Sequence, residues 1–162
     1  MVVKSKPVDP AGLDLAYLAL FVGMRVNEMV LKQVTGAGFR GIRESHGYLI
    51  QHLIESDRTI TELARRLGVT QQAASKTVAE LIELGVLQAI PAPDRRAKRI
   101  RLSARGWENV RFARRARAGL DRRLAAAVGA RSYRQAEATL VACLRELGGL
   151  ERIRRRRVRE PD

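Results

Sequence analysis

The stretch TITELARRLGVTQQAASKTVAELIELGVL, from Thr59 to Leu87, constrains the fold more than any other part of the chain. Thr59 and Glu62 have the spacing of a capping box, which opens a short helix with Leu63, Ala64 and Leu67 facing inward. Gly68 falls just past the end of that helix, where a left-handed backbone is wanted. Val69 is placed to plug the corner, and Thr70 to cap a second helix running from about Gln71 to Leu84, which Gly85 stops. The small Ala64, four residues before the turn glycine, lets the second helix cross the first closely. Two short helices joined in this way form a helix-turn-helix.

The residues after Gly85 extend the motif. VLQAI reads as a short strand, IRLS as its alternating partner, and PAPDRRAKR as the loop between them. A hairpin directly after a recognition helix is a wing. The segment DRRAKRIRLSARG carries six cationic side chains in thirteen residues, which a buried strand would not tolerate and a disordered tail would not need to alternate.

The flanks are helical. Asp9-Pro10 is a helix start, and Leu13, Tyr17, Leu20, Met24 and Leu31 continue at helical spacing to about Gln33. A second helix, from about Glu44 to Ile54, carries Leu49, Ile50, Leu53 and Ile54. After the wing, Ser103 to Gly129 reads as a long helix with Trp107, Val110, Ala113, Leu120, Leu124 and Val128 inward. Ser132 and Gln135 look like a second capping box, opening a last helix with Ala136, Leu140, Leu144 and Leu147. The expected fold is therefore mainly α with a small β-hairpin wing: a winged helix-turn-helix with N- and C-terminal dimerisation helices. Residues 1–10 form a flexible arm and 11–148 a single domain. Within that domain 41–103 are the winged lobe, and 11–33 and 104–148 the dimerisation helices. Residues 149–162 form a basic tail, read as a solvated end.

Composition narrows the partner. Among 162 residues, 31 Lys and Arg stand against 17 Asp and Glu, a net charge of +14, which favours a polyanion. No apolar run approaches the length a bilayer span needs, and MVVKSKPVDP lacks the apolar core of a signal peptide, so a cytoplasmic protein is expected with no membrane partner. Cys143 is the single cysteine and, with His46 and His52, makes a poor zinc ligand set; it reads as a small apolar residue at the dimer seam, and no cofactor is expected.

Within the recognition helix, Gln71, Gln72, Ser75 and Lys76 share one face near the N-terminal half. Gln pairs with an adenine edge, Lys with guanine, and Ser with either. Thr70, at the helix N-terminus, suits a phosphate. Arg95, Arg96, Lys98 and Arg99 are the wing cations, suited to the concentrated negative potential of a narrow minor groove. The expected partner is double-stranded DNA.

This order of elements, with LARRLGVTQQAASKTVAELIELGVL leading into DRRAKRIRLSARG, resembles the MarR family of winged-helix repressors over roughly residues 12 to 148. The most specific part is Asp94, Arg96, Ala97, Lys98, Ile100, Leu102, Ser103 and Gly106, similar to the family's D-x-R-x-x wing and the L-T/S-x-x-G after it. The resemblance implies that Arg96 enters the minor groove and Asp94 steadies the wing tip. It also implies a homodimer with interlocked terminal helices, and a small apolar or phenolic effector lying near the first, second and fifth helices. Tyr17, His46, Tyr48 and Trp107 are the lining it points to. The chain departs from the family in GIRESHGYLIQ, which lacks the proline or glutamine usual near the start of the second helix. It also lacks the first-helix cysteine of the peroxide-sensing branch and the His/Cys/Glu clusters of zinc sensors.

The leading function is a sequence-specific transcriptional regulator, a ligand-responsive repressor on a palindromic operator. The alternative is a nonspecific architectural DNA- or RNA-binding protein, although aromatic residues for stacking total only 4%. No Ser/His/Asp set, paired catalytic carboxylates or phosphate loop points to an enzyme.

Overall fold

The computed structural model describes residues 9–91 and 98–154. Asp9 and Pro10 start only a single 3-10 turn, Pro10–Gly12; Asp14 then caps the first long helix, α1 (Leu15–Gly36), by accepting from Tyr17 N. Next come α2 (Glu44–His52), the two-residue strand β1 (Arg58–Thr59), α3 (Ile60–Leu67) and α4 (Gln71–Glu83). The hairpin β2 (Leu87–Pro91) and β3 (Lys98–Leu102) leads into α5 (Ala104–Val128), α6 (Ala130–Glu146) and the short α7 (Leu150–Arg154).

The local chemistry read from the sequence around the helix-turn-helix is in place. Thr59 Oγ1 accepts from Glu62 N at 3.2 Å, and the Glu62 carboxylate accepts from Thr59 N at 2.7 Å. Gly68 takes the left-handed conformation, φ 65° and ψ 42°, that ends α3. Small, buried Ala64 and Ala74 lie on α3 and α4, which pack on each other. Val69 does not plug this corner. It is 44% exposed, because Ala64 and Ala74 already let the helices close without it.

The sheet is antiparallel with strand order β1-β3-β2. In β3, Ile100 and Leu102 point into the core while Arg101 between them is exposed, as a period of two requires; Lys98, at the far end of the inward face, is exposed. Ser103 fixes the base of the hairpin to the end of α4: its N–H donates to Val86 O at 3.0 Å and its hydroxyl to Gly85 O at 2.5 Å. The same hydroxyl accepts from Gly106 N and so caps α5. A Cβ at position 106 would stand 2.2 Å from Val86 O, so the Ser-x-x-Gly spacing is a packing requirement.

The core joins Leu49, Leu63, Leu81, Val86 and Ile100 of the lobe to Val30 and Val34 of α1 and Val110 and Leu120 of α5. Two expectations for the helical arm fail. Ser132 and Gln135 do not open α6. Gly129, at φ 87°, reverses the chain in one residue, so α6 begins at Ala130 and both lie inside it. Trp107 and Val128 of α5 are 36% and 57% exposed rather than inward.

Candidate nucleic-acid interface and cavity

The buried face of α4 is Ala74, Val78 and Leu81. On the other side Gln71, Gln72, Ser75 and Lys76 are all exposed, so the structure brings together the four reading residues expected from the sequence. Thr70 caps the helix, its Oγ1 accepting from Ala73 N at 3.2 Å. The first turn of α4 carries no acidic side chain to repel a phosphate at its positive end.

Of the wing cations, Lys98 is exposed at the last described register pair before the tip, opposite Pro91. Arg99 is half-buried and turned toward the lobe: its Nη2 donates to Asp57 O at 2.5 Å, while its buried Nε has no partner among the described residues. The pairing of Thr59 with Arg99 across β1 and β3 holds it there. Asp94, Arg95 and Arg96 lie outside the described residues. Arg101, which sequence reasoning did not single out, is exposed opposite Gln88. The strand alternation that buries Ile100 and Leu102 was its available signal.

The helix-turn-helix, the hairpin and the bare face of α4 together make a winged-helix lobe. The model of the MarR family matches residues 40–97, from just before α2 to the residue before β3. Over that segment the chain is similar to the winged helix of the MarR family. The likeness of fold to solved MarR-type regulators extends beyond that lobe. The transcriptional regulator Tm0710 of Thermotoga maritima is 20% identical, with a TM-score of 0.59, covering 83% of this chain and 92% of that one. MepR of Staphylococcus aureus, a regulator of the multidrug efflux pump MepA, is 17% identical with a TM-score of 0.67, over 83% and 99%. MepR in a DNA complex is 18% identical with a TM-score of 0.63, over 82% and 97%. No curated protein sequence matches the chain significantly. No helix among the described residues is long and apolar enough to cross a membrane.

Behind the winged lobe, α1, α2 and α5 line an open cavity of about 410 Å³. Val30, Val34, Ile50 and Val110 supply apolar wall, and Asn109 and Arg114 polar wall. Asn109 is buried and its Nδ2 has no hydrogen-bond partner among the described residues, an uncommon condition for a buried amide. A chain of polar contacts joins the three helices at the cavity. Arg117 Nη2 donates to Asn27 Oδ1 at 2.7 Å, and Asn27 Nδ2 donates to Glu44 Oε1 at 3.0 Å. The Tyr48 hydroxyl donates to the same Glu44 oxygen at 3.2 Å. Burial, and then that carboxylate, push the Tyr48 phenol above its ordinary pKa.

The four residues expected to line an effector site are not gathered here. Only Tyr48 borders the cavity. Tyr17 is 54% exposed on α1, with its ring 5.8 Å from that of Phe21, and Trp107 lies at the surface of α5. His46 is fully buried beside the cavity, where it joins α2 to α4. Sequence reasoning missed Asn109, Arg114 and Arg117. They fall on the polar side of a helix pattern and become cavity wall only once α1 and α2 pack there.

Proposed function

We propose that the protein is a homodimeric, ligand-responsive repressor that binds a palindromic DNA operator. The observation carrying this reading is the exposed face Gln71, Gln72, Ser75 and Lys76 on a helix whose other face is fully packed. Thr70 at the N-terminus of that helix and Lys98 on the wing extend the same surface toward phosphate and groove. Arg95 and Arg96 are proposed to reach the minor groove and Asp94 to order the tip.

Dimerisation is supported by apolar surface the single chain leaves uncovered. Tyr17, Leu20, Phe21 and Met24 of α1 are each more than half exposed, and α6 has no buried residue. A patch of this kind marks an association surface. The segments 11–33 and 104–148 are the proposed dimerisation elements, and a two-fold axis through them would give the operator its symmetry. The cavity volume falls in the range of small-molecule sites, and its apolar walls suit a small apolar or phenolic effector. The unpartnered Asn109 amide offers such a molecule one hydrogen bond.

The test is selection of bound sequences from random duplex DNA, then footprinting. The expected product is a palindrome whose half-sites lie about 34 to 36 Å apart. Inserting about five base pairs between half-sites should abolish tight binding, because one recognition helix then meets the wrong face of the duplex. Uniform coverage without a preferred site would replace this reading with an architectural one.

A further inference from the structure

Arg43 has neighbours of two different kinds. It precedes α2 at the N-cap position and forms part of the cavity wall, and its guanidinium also forms an ion pair with Glu80 of α4. The same guanidinium approaches His46, with Nε and Nη2 at 3.3 and 3.1 Å from the ring Nε2. His46 Nδ1 accepts from Arg43 N at 3.2 Å, and Nε2 lies between Arg43 Nε, which donates to it, and Glu80 Oε2, at 3.3 Å from each. Glu80 is thus the point on the recognition helix that α2 holds, once through a buried ring and once through a cavity-wall arginine.

The two holds differ in how easily they are released. His46 is locked in the interior, but the Arg43 side chain is 61% exposed. An exposed ion pair is weak and its arginine can swing without leaving a buried charge behind. Resting on the reading of a ligand-responsive DNA-binding regulator, we propose that Arg43 transmits the state of the cavity to the recognition helix. A filled cavity displaces Arg43 from Glu80, α4 loses a tie to the start of α2, and the geometry of Gln71, Gln72, Ser75 and Lys76 relaxes away from the operator.

The site can be tested without knowing the effector. Gly47 lines the cavity, one helical turn beyond Arg43, and a Cβ there would meet nothing within 4 Å. Helical side chains lean toward the N-terminus, so a leucine at this position would cover the Arg43 stem and occupy the space an effector takes. In the full chain, Gly47→Leu and Arg43→Gln should each weaken operator binding about five- to tenfold, and the double variant no further. Gly47→Ala, which leaves the cavity open, and Arg43→Lys, which keeps the charge, should both retain wild-type affinity. The dependence of log affinity on log salt should be the same in every variant, because Arg43 touches no phosphate. A thermal melt of each variant establishes that it is folded. Additive losses, no loss, or a slope shallower by about one in Arg43→Gln would each overturn the proposal. Failure of the wild-type chain to bind DNA would instead overturn the regulator reading, and the relay with it.

Discussion

The winged lobe and the helical arms solve the problem of burial differently. From α2 to β3, Leu49, Leu63, Leu81 and Ile100 are almost wholly withdrawn from solvent, and α3 and α4 each have a side-chain cap. The arms are divided within themselves. The C-terminal half of α1 buries Val30 and Val34 in the core, while Leu15 to Met24 presents apolar side chains to solvent. In α6 nothing is buried, and Leu147 is 82% exposed. One region is complete in a single chain, and the other leaves apolar surface that the proposed second copy would cover. The same residue type, leucine at helical spacing, carries both patterns; what differs is whether the lobe offers it a facing surface.

Core truncation should give the largest effect and should not depend on protein concentration. Leu81→Ala removes a fully buried side chain between α4 and the rest of the lobe, at a cost of about 2 to 5 kcal/mol. Urea unfolding followed at several protein concentrations would show the midpoint shift as a constant offset from wild type. A loss under about 1 kcal/mol would mean the lobe is less tightly packed than its burial indicates.

The corresponding change on the arm should behave in the opposite manner. Leu140, on α6, is 37% exposed in the single chain. Leu140→Arg should leave the lobe folded but weaken association by about 2 kcal/mol, by placing an unpaired charge in the proposed interface. Sedimentation should then show monomer at concentrations where the wild type is dimeric, and operator affinity should fall with it. An unchanged oligomeric state would show that this face of α6 is not the interface.

Legibility in the sequence divides along the same line. Thr59 with Glu62, Gly68, Thr70 and Ser103 with Gly106 are each short-range backbone chemistry, and each sits where its spacing placed it. The strand β1 was not legible, because two residues have no periodicity and Arg58 and Thr59 become a strand only by pairing with Ile100 and Arg99. The Ser132 and Gln135 pattern was a false start, since a positive-φ glycine began the helix earlier. The Glu80 hold on α2 joins residues 34 and 37 positions apart, and the cavity residues as far as 90 apart, which no local pattern encodes.

Two basic residues sharpen the distinction between surface that reads DNA and surface that holds the lobe. Lys76→Ala should cost about 1 to 3 kcal/mol of operator binding and relax preference at one position. Arg99→Ala should instead cost about 1 kcal/mol of folding stability, because its guanidinium ties β3 to Asp57 O across 42 residues. Its salt dependence of binding should match the wild type. A slope shallower by about one unit would return Arg99 to the DNA-contacting set.

The smallest expected effect concerns the junction between the two regions and shows itself through pH. Burial, the dominant influence, and the Arg43 charge lower the His46 pKa from its ordinary value, against the opposing pull of Glu80. Arg43 from the start of α2 and Glu80 from α4 are the charged groups acting on the ring. With the folded pKa below 6.5, the unfolded chain takes up this proton first as the pH falls. His46 therefore contributes its full stability above pH 6.5, and loses it progressively as the pH drops from there toward the lowered folded value. The protonated ring would also carry a hydrogen on Nδ1, against the Arg43 N–H that Nδ1 now caps, and weaken the start of α2. The measurement is unfolding free energy from pH 7.5 to 5.5 for wild type and His46→Asn, which keeps an acceptor near Arg43 N but cannot titrate. The wild type should lose stability across this window more steeply than the variant. Parallel curves would mean that His46 titrates alike in both states, and that burial does not set its protonation.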